Sequence, residues 1–381
     1  MPGRREPTKS PTPIGEPMNL PDKNLEQLPD EITLEELRET ANRHSPESKE
    51  SYLSSLHRAL EALRGTEGIA ELEPTPRPTI IIPDLHGRKD FILHLLETKV
   101  LMPPEMKEEK TVYDLLKEGW VNIVFLGDGM HLETPDIMGT YDDETVQEWD
   151  VVASLNTMKM IMELVASFKG RAVYLRGNHD FSADPLTLFK KSGNHCVQQG
   201  EIFSRNVRKI FGEDFSKEYI NWEKALPLLV KGKNFVASHA APGRILTEQE
   251  IRNRTESAFY NLTWVDNVHH DLSEGDETKD GDEGNEWFKM SKNRGTNERC
   301  LEGTRSNIGA EKHAWWFIGH RQTDPYELVR KQFGGRLVQI NSPFAEACIL
   351  VNAQNTSYVP LNMKDLNIYL PSSLSAAGVD L

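Results

Sequence analysis

Thr79-Ile80-Ile81-Ile82-Pro83 runs directly into Asp84-Leu85-His86-Gly87. A carboxylate and an imidazole two residues apart on extended backbone project to the same side. Gly87 lets the chain turn away behind them. Such a pair can supply half of a metal site, and the rest of the chain repeats the pattern. Asn122-Ile123-Val124-Phe125-Leu126 leads into Gly127-Asp128, and Ala172-Val173-Tyr174-Leu175 into Arg176-Gly177-Asn178-His179-Asp180. Asn234-Phe235-Val236-Ala237 leads into Ser238-His239, and Trp315-Trp316-Phe317-Ile318 into Gly319-His320. Short runs rich in β-branched and aromatic residues read as buried strands. Five strands therefore each end on a residue able to bind metal. Asp84, His86, Asp128, Asn178, His239 and His320 are too many ligands for one tetrahedral zinc. They suit two ions sharing a carboxylate. Mixed imidazole and carboxylate donors favour Mn, Fe or Zn over the all-oxygen sites of magnesium and calcium. Two such ions, about 3.5–4 Å apart, clamp a phosphoryl group for in-line attack by water.

The intervals between these strand ends leave room for helices, which predicts an α/β architecture. Phe91, Ile92, Leu95 and Leu96 give residues 89–98 an apolar helical face; residues 146–168 carry a longer one, and 207–229 read as helical too. Upstream, Thr33-Leu34-Glu35-Glu36 looks like a capping box, and the leucines of 33–66 recur at helical spacing. Residues 1–25 are Pro-rich and polar and read as a disordered tail. The expected organisation is that tail, a helical extension and linker over 26–75, a catalytic domain over 76–362, and a C-terminal tail over 363–381. Within the domain, 270–290 is a strongly acidic surface loop. It brushes against a calcium-loop pattern from Asp276, but position twelve is Trp287 where the bidentate acid should stand.

The chain of 381 residues carries a net charge of -15. That argues against nucleic acid as the main partner, since phosphate backbones call for basic faces. No apolar run approaches a membrane span, and no apolar segment follows the charged N-terminus as a secretory signal requires. Cys196, Cys300 and Cys348 are too widely spaced for a disulfide framework or a zinc motif. A cytoplasmic setting is the expectation. His94, His195 and His313 stand outside any such motif and read as ordinary histidines; His269-His270 border the acidic stretch, and an approach to a substrate is only the minor alternative for them.

The ordered series Asp-x-His-Gly, Gly-Asp, Gly-Asn-His-Asp, a lone His after a strand, and Gly-His resembles the calcineurin-like metallophosphoesterases over residues 78–350. Leu175-Arg176-Gly177-Asn178-His179, and Gln322 where other branches carry a second His, bring it closer to the Ser/Thr phosphoprotein-phosphatase branch. Leu262-Thr263-Trp264-Val265-Asp266 and Asn293-Arg294-Gly295 are similar to further segments of that branch. The resemblance implies a two-sheet α/β/β/α sandwich holding two divalent or trivalent ions. Asp84 and His86 would hold the first, Asn178, His239 and His320 the second, with Asp128 bridging. His179 would donate a proton to the leaving oxygen, and Arg294 would grip phosphate.

One departure stands out. The branch follows Gly-Asp with x-Val-Asp-Arg-Gly, and this chain has Gly129-Met130-His131-Leu132-Glu133. His131 takes the place of the Asp that orients the catalytic His, and Leu132 that of a phosphate-binding Arg. Glu133 or Asp180 could supply the orienting carboxylate, and Arg176 or Arg321 the cation. The expected activity is hydrolysis of phosphomonoesters such as phosphoserine or phosphothreonine. The alternatives are a nucleotide or dinucleoside-polyphosphate hydrolase, and a non-catalytic scaffold that binds partners through residues 1–70.

Overall fold

A computed structural model of the chain describes residues 31–73, 77–101, 109–132, 143–180, 182, 188–190, 196–265, 296–320, 327–340 and 346–375. Among the described residues the strands in chain order are β1 (Ile69–Glu71), β2 (Thr79–Ile82), β3 (Lys99–Leu101), β4 (Glu109–Thr111), β5 (Asn122–Phe125), β6 (Ala172–Tyr174), β7 (Leu188–Lys190), β8 (Cys196–Gln198), β9 (Leu229–Lys231), β10 (Phe235–Ser238), β11 (Trp315–Ile318), β12 (Val329–Gln332), β13 (Leu337–Ile340), β14 (Ala347–Val351) and β15 (Tyr358–Asn362). Two small hairpins, β3-β4 and β7-β8, stand apart; the rest form two sheets, ordered β15-β14-β2-β5-β6 and β1-β9-β10-β11-β13-β12. At the heart of the first, β2, β5 and β6 are parallel; in the second, β10, β11 and β13 are parallel. This is the α/β architecture that the spacing predicts, in the two-sheet form that the resemblance implies.

Side-chain alternation explains why both sheets are covered on both faces. Ile81, Val124 and Val173 point inward and meet Phe235, Ala237, Phe317 and Val338 of the opposite sheet. Their neighbours Ile80, Ile82, Ile123, Phe125 and Tyr174 point outward into a helical layer. On the far side Val236, Trp316 and Ile318 pack against helices Glu248–Arg252, Glu256–Thr263 and Glu298–Asn307. Strands buried on both faces read as continuous apolar runs, which is what these sequences show.

The long helix Glu144–Ser167 crosses the first sheet, and 15 of its residues are buried. Helices Leu34–Asn42 and Lys49–Ala62 pack over it, with the capping box at Thr33 and Glu36 formed as expected. Polar pairs mark this seam: Tyr52 donates to Asn156 at 2.7 Å, Lys159 to Glu47 at 2.7 Å, and Arg58 pairs with Glu163 at 2.9 Å. The segment read as one helix over 207–229 is two, Gln199–Phe211 and Glu213–Ala225, broken at Gly212 with φ of 90°. Within the stretch expected as helical extension and linker, Ile69–Glu71 forms β1, which pairs with β9. Where a tail was expected after 362, Leu366–Ser375 is helical and buries Leu366 and Leu370. The acidic loop and the N-terminal tail lie outside the described residues. No helix among the described residues is long and apolar enough to cross a membrane.

Candidate metal centre

The loops after β2, β5, β6, β10 and β11 converge at one edge of the sandwich. Asp84, His86 and Asp128 form one group of potential ligand atoms, and Asp128, His239 and His320 another, each within 4.8 Å. Asp128 belongs to both. Asn178 joins the second group, with its amide end 2.8 Å from His239 Nε2 and 2.9 Å from His320 Nδ1. All six residues picked from the sequence as ligands thus share one pocket.

The backbone here is unusual. His86, Asp128, His131 and His320 have φ of 44°, 49°, 65° and 68°, in the left-handed region. Such conformations cost of order 1–3 kcal/mol each and persist where the surroundings over-determine them. Two glycines are required for close approach. A Cβ on Gly177 would run into the Asp128 carboxylate, and one on Gly319 into that of Asp84. This gives the Gly-Asn and Gly-His motifs a physical cause.

Hydrogen bonds set which ring nitrogens face the pocket. His86 Nδ1 donates to the carbonyl of His131 at 3.1 Å, and His239 Nδ1 to that of Leu126 at 2.9 Å. Each therefore directs Nε2 inward as a potential ligand, a common arrangement around metals. The His320 N–H donates to Asp84 Oδ2 at 2.8 Å, and the His179 N–H to Asp128 Oδ1 at 2.8 Å. Asp84 Oδ1 is buried and accepts no hydrogen bond among the described residues. Burial pushes the Asp128 carboxyl up, but the neighbouring charges of His239, His179 and His86 outweigh it and hold it far below the usual range. Burial likewise pushes His239 down, and Asp128 and Asp84 overcome that and raise it well above its usual value. A field that would hold a proton on a buried imidazole also draws a cation. Turning the Asn178 amide lets its NH2 donate to His239 Nε2, His320 Nδ1 and Asp128. With the oxygen turned inward, that oxygen and the same three groups offer only lone pairs, which a cation satisfies. On this chemistry the residues fit metal ions.

Asp180 has a different part from the one its motif suggested. It accepts from the backbone N–H groups of Asp128 and Gly177 at 2.9 Å each, from Gly129 at 3.1 Å, and from the Tyr174 hydroxyl at 2.7 Å. It fastens the Gly-Asp turn to the Gly-Asn-His-Asp turn, and does not orient His179. Burial, with the Asp128 charge, raises its pKa. Arg176 is buried in the wall: its Nε donates to the Asp180 carbonyl at 3.3 Å and its guanidinium lies 4.2 Å from the Phe259 ring centre. Arg294, Arg321, Glu133 and Asp266 lie outside the described residues, as do His195 and His269-His270. His94 and His313 are exposed, away from the pocket.

One residue escaped the sequence reading. Asp150, in the first turns of the long helix, places Oδ2 3.1 Å from His131 Nδ1, both side chains fully buried. Its Oδ1 accepts from the Leu132 N–H at 2.6 Å, and Ser154, one turn on, accepts from the His131 N–H at 2.9 Å. The available signal was a polar i, i+4 pair on a helix face that otherwise reads as core. Leu132 itself lies in a small apolar cluster with Ala153, Val146 and Ile202.

No family model matches the chain, and no curated protein does. Solved structures do. A protein serine/threonine phosphatase from Saccharomyces cerevisiae aligns at 14% identity with a TM-score of 0.52, covering 80% of this chain and 83% of that one. A cold-active protein-tyrosine phosphatase of a psychrophile, Shewanella sp., aligns at 14% identity and a TM-score of 0.39, covering 77% and 83%. The first likeness establishes a shared fold.

Proposed function

We propose that this chain is a metal-dependent phosphoesterase that hydrolyses phosphomonoesters of the phosphoserine or phosphothreonine kind. The single observation that carries the reading is the pair of ligand groups joined through Asp128. Asp84, His86 and Asp128 would hold one ion, and Asp128, Asn178, His239 and His320 the other, with Mn, Fe or Zn suited to these donors. Two such ions polarise a phosphoryl oxygen and make water nucleophilic near neutral pH. The protein's own residues do the rest. Asp128 faces both positions from a buried turn stapled by Asp180. His179 stands beside His86, ring centres 5.3 Å apart, and its side chain is 14% exposed, so a leaving oxygen can reach it. It holds the proton that an alkoxide leaving group needs. The apolar Leu132 offers the phosphate no charge, and Arg176 is engaged in the wall. Arg294 and Arg321 remain the cations that the sequence offers.

The test is hydrolysis of a phosphoserine peptide, a nucleotide diester, a dinucleoside polyphosphate and an aryl phosphate by protein stripped with chelator and reloaded with Mn, Fe or Zn. Metal-restored turnover of the phosphopeptide is expected. Equal rates with and without metal would sink the two-ion reading, and a preference for the dinucleoside polyphosphate would move the substrate class.

A further inference from the structure

Asp150 and His131 form a fully buried pair next to the ligand groups, where the His131 carbonyl also holds the ring of His86. The His131 Nδ1–H donates to Asp150, which leaves Nε2 as a bare acceptor. That nitrogen is buried with no hydrogen-bond partner among the described residues. Leaving a buried acceptor unsatisfied costs about 1–3 kcal/mol, so its direction calls for an explanation. Among the described residues two rings flank His131. Phe203, 5.9 Å away at 82°, has no donor to offer. His179, 5.8 Å away at 62°, has a ring N–H. The pair is also held from behind: Asp150 grips the Leu132 N–H with its second oxygen, and Ser154 grips the His131 N–H. Turning the ring breaks its bond to Asp150, and moving the loop breaks two backbone bonds to the same helix.

We propose that Asp150 is the positioning carboxylate for His179 and acts through His131. An imidazole in the place of a carboxylate supplies an acceptor for the His179 N–H but no charge; Asp150 restores the charge one ring further back. It also fixes the His131 tautomer so that the acceptor faces His179. The inference rests on the reading of His179 as the proton donor in phosphomonoester hydrolysis.

The experiment uses the full chain, metal-loaded, with two substrates and one spectrum. In Asp150→Asn, turnover of a phosphoserine peptide should fall at least ~10-fold, while that of 4-nitrophenyl phosphate, whose leaving group needs no proton, should fall less than about threefold. Metal content should not change. Adding His131→Asp to Asp150→Asn, which moves the carboxylate next to His179, should restore most of the lost peptide rate. Equal loss on both substrates, or loss on neither, overturns the proposal in favour of a structural clamp. Long-range 15N–1H spectra of the imidazole rings decide independently of turnover and of whether the variants fold: wild-type His131 should carry its proton on Nδ1 alone. A proton on Nε2 overturns the proposal. If the wild type shows no metal-dependent turnover of either substrate, the phosphoesterase reading fails, and with it the role of His179 here. The ring spectrum would then show only whether the Asp150–His131 pair exists as drawn.

Discussion

The pocket has two sides built on different principles. The candidate metal cradle comes straight off strand ends: each candidate ligand follows its strand within a few residues, the rings of His86 and His239 are turned by backbone carbonyls, and His86, Asp128 and His320 sit in the left-handed region. The side proposed to deliver a proton is reached from helices. His131 is held by Asp150 and Ser154 of the long helix, and the loop just past His179 is held by Glu223 of helix Glu213–Ala225 through the Ser182 N–H at 3.0 Å and hydroxyl at 2.9 Å. Strand ends inherit their positions from the sheets, whereas helix-borne contacts depend on how a separate layer packs. The cradle should therefore tolerate disturbance of the helices better than the proton-delivery side does.

The largest expected effect breaks the cradle. Asp128→Asn removes the carboxylate common to both groups, and bound metal and turnover should fall together by more than the roughly 10–100-fold typical of residues that only orient ligands. Metal analysis beside kinetics checks this; retention of both ions would separate Asp128 from the cradle. Next, His179→Ala should retain metal and slow alkyl phosphates about 10²–10⁴-fold, with a much smaller effect on nitrophenyl phosphate. An equal effect on the two would remove His179 from proton delivery.

The remaining two tests concern the helices. Burial pushes the Glu223 carboxyl up to about 7, against the opposing pull of Arg176 and Ser182. A folded pKa above the unfolded value means that the native state binds the proton more tightly. The contribution is complete below pH ~4.5 and is lost as pH rises through ~7. Chemical denaturation from pH 4.5 to 8 should show wild type losing of order 3 kcal/mol relative to Glu223→Gln; a flat difference would mean that Glu223 is ionised throughout. The smallest effect is expected from Tyr52→Phe, which leaves Asn156 without its donor beneath the N-terminal helices. A loss of about 1–3 kcal/mol with unchanged metal content fits the comparison, and loss of metal would contradict it.

How much of this was legible in the sequence follows from the same contrast. Asp84, His86, Asp128, Asn178, His239 and His320 could be found because a polar residue at the end of an apolar run is locally conspicuous. Asp150 could not: it lies 19 residues beyond its partner, inside a helix whose apolar residues dominate the pattern. Asp180 was found but misassigned, because its motif says nothing of the four donors that fold places around it. The C-terminal helix was missed because Leu366 and Leu370 give only one turn of apolar spacing, and Pro371 follows at once. Strand β1 has three residues, too few to show alternation, and only its pairing with β9 defines it.

The cradle also straddles the sandwich. Asp84, His86, Asp128 and Asn178 hang from one sheet, and His239 and His320 from the other. Between the sheets lies an apolar layer, and apolar attraction has no direction: it holds two surfaces together without by itself fixing how far one has slid along the other. At the rim, the His320 N–H bond to Asp84 and the His239 bond to the Leu126 carbonyl cross the gap and act as dowels that set this alignment. An ion shared by Asp128, His239 and His320 would be a third. Metal binding and the registration of the two layers are then one equilibrium, so that the cohesion of the whole sandwich rises with free ion concentration as RT ln(1 + [L]/Kd).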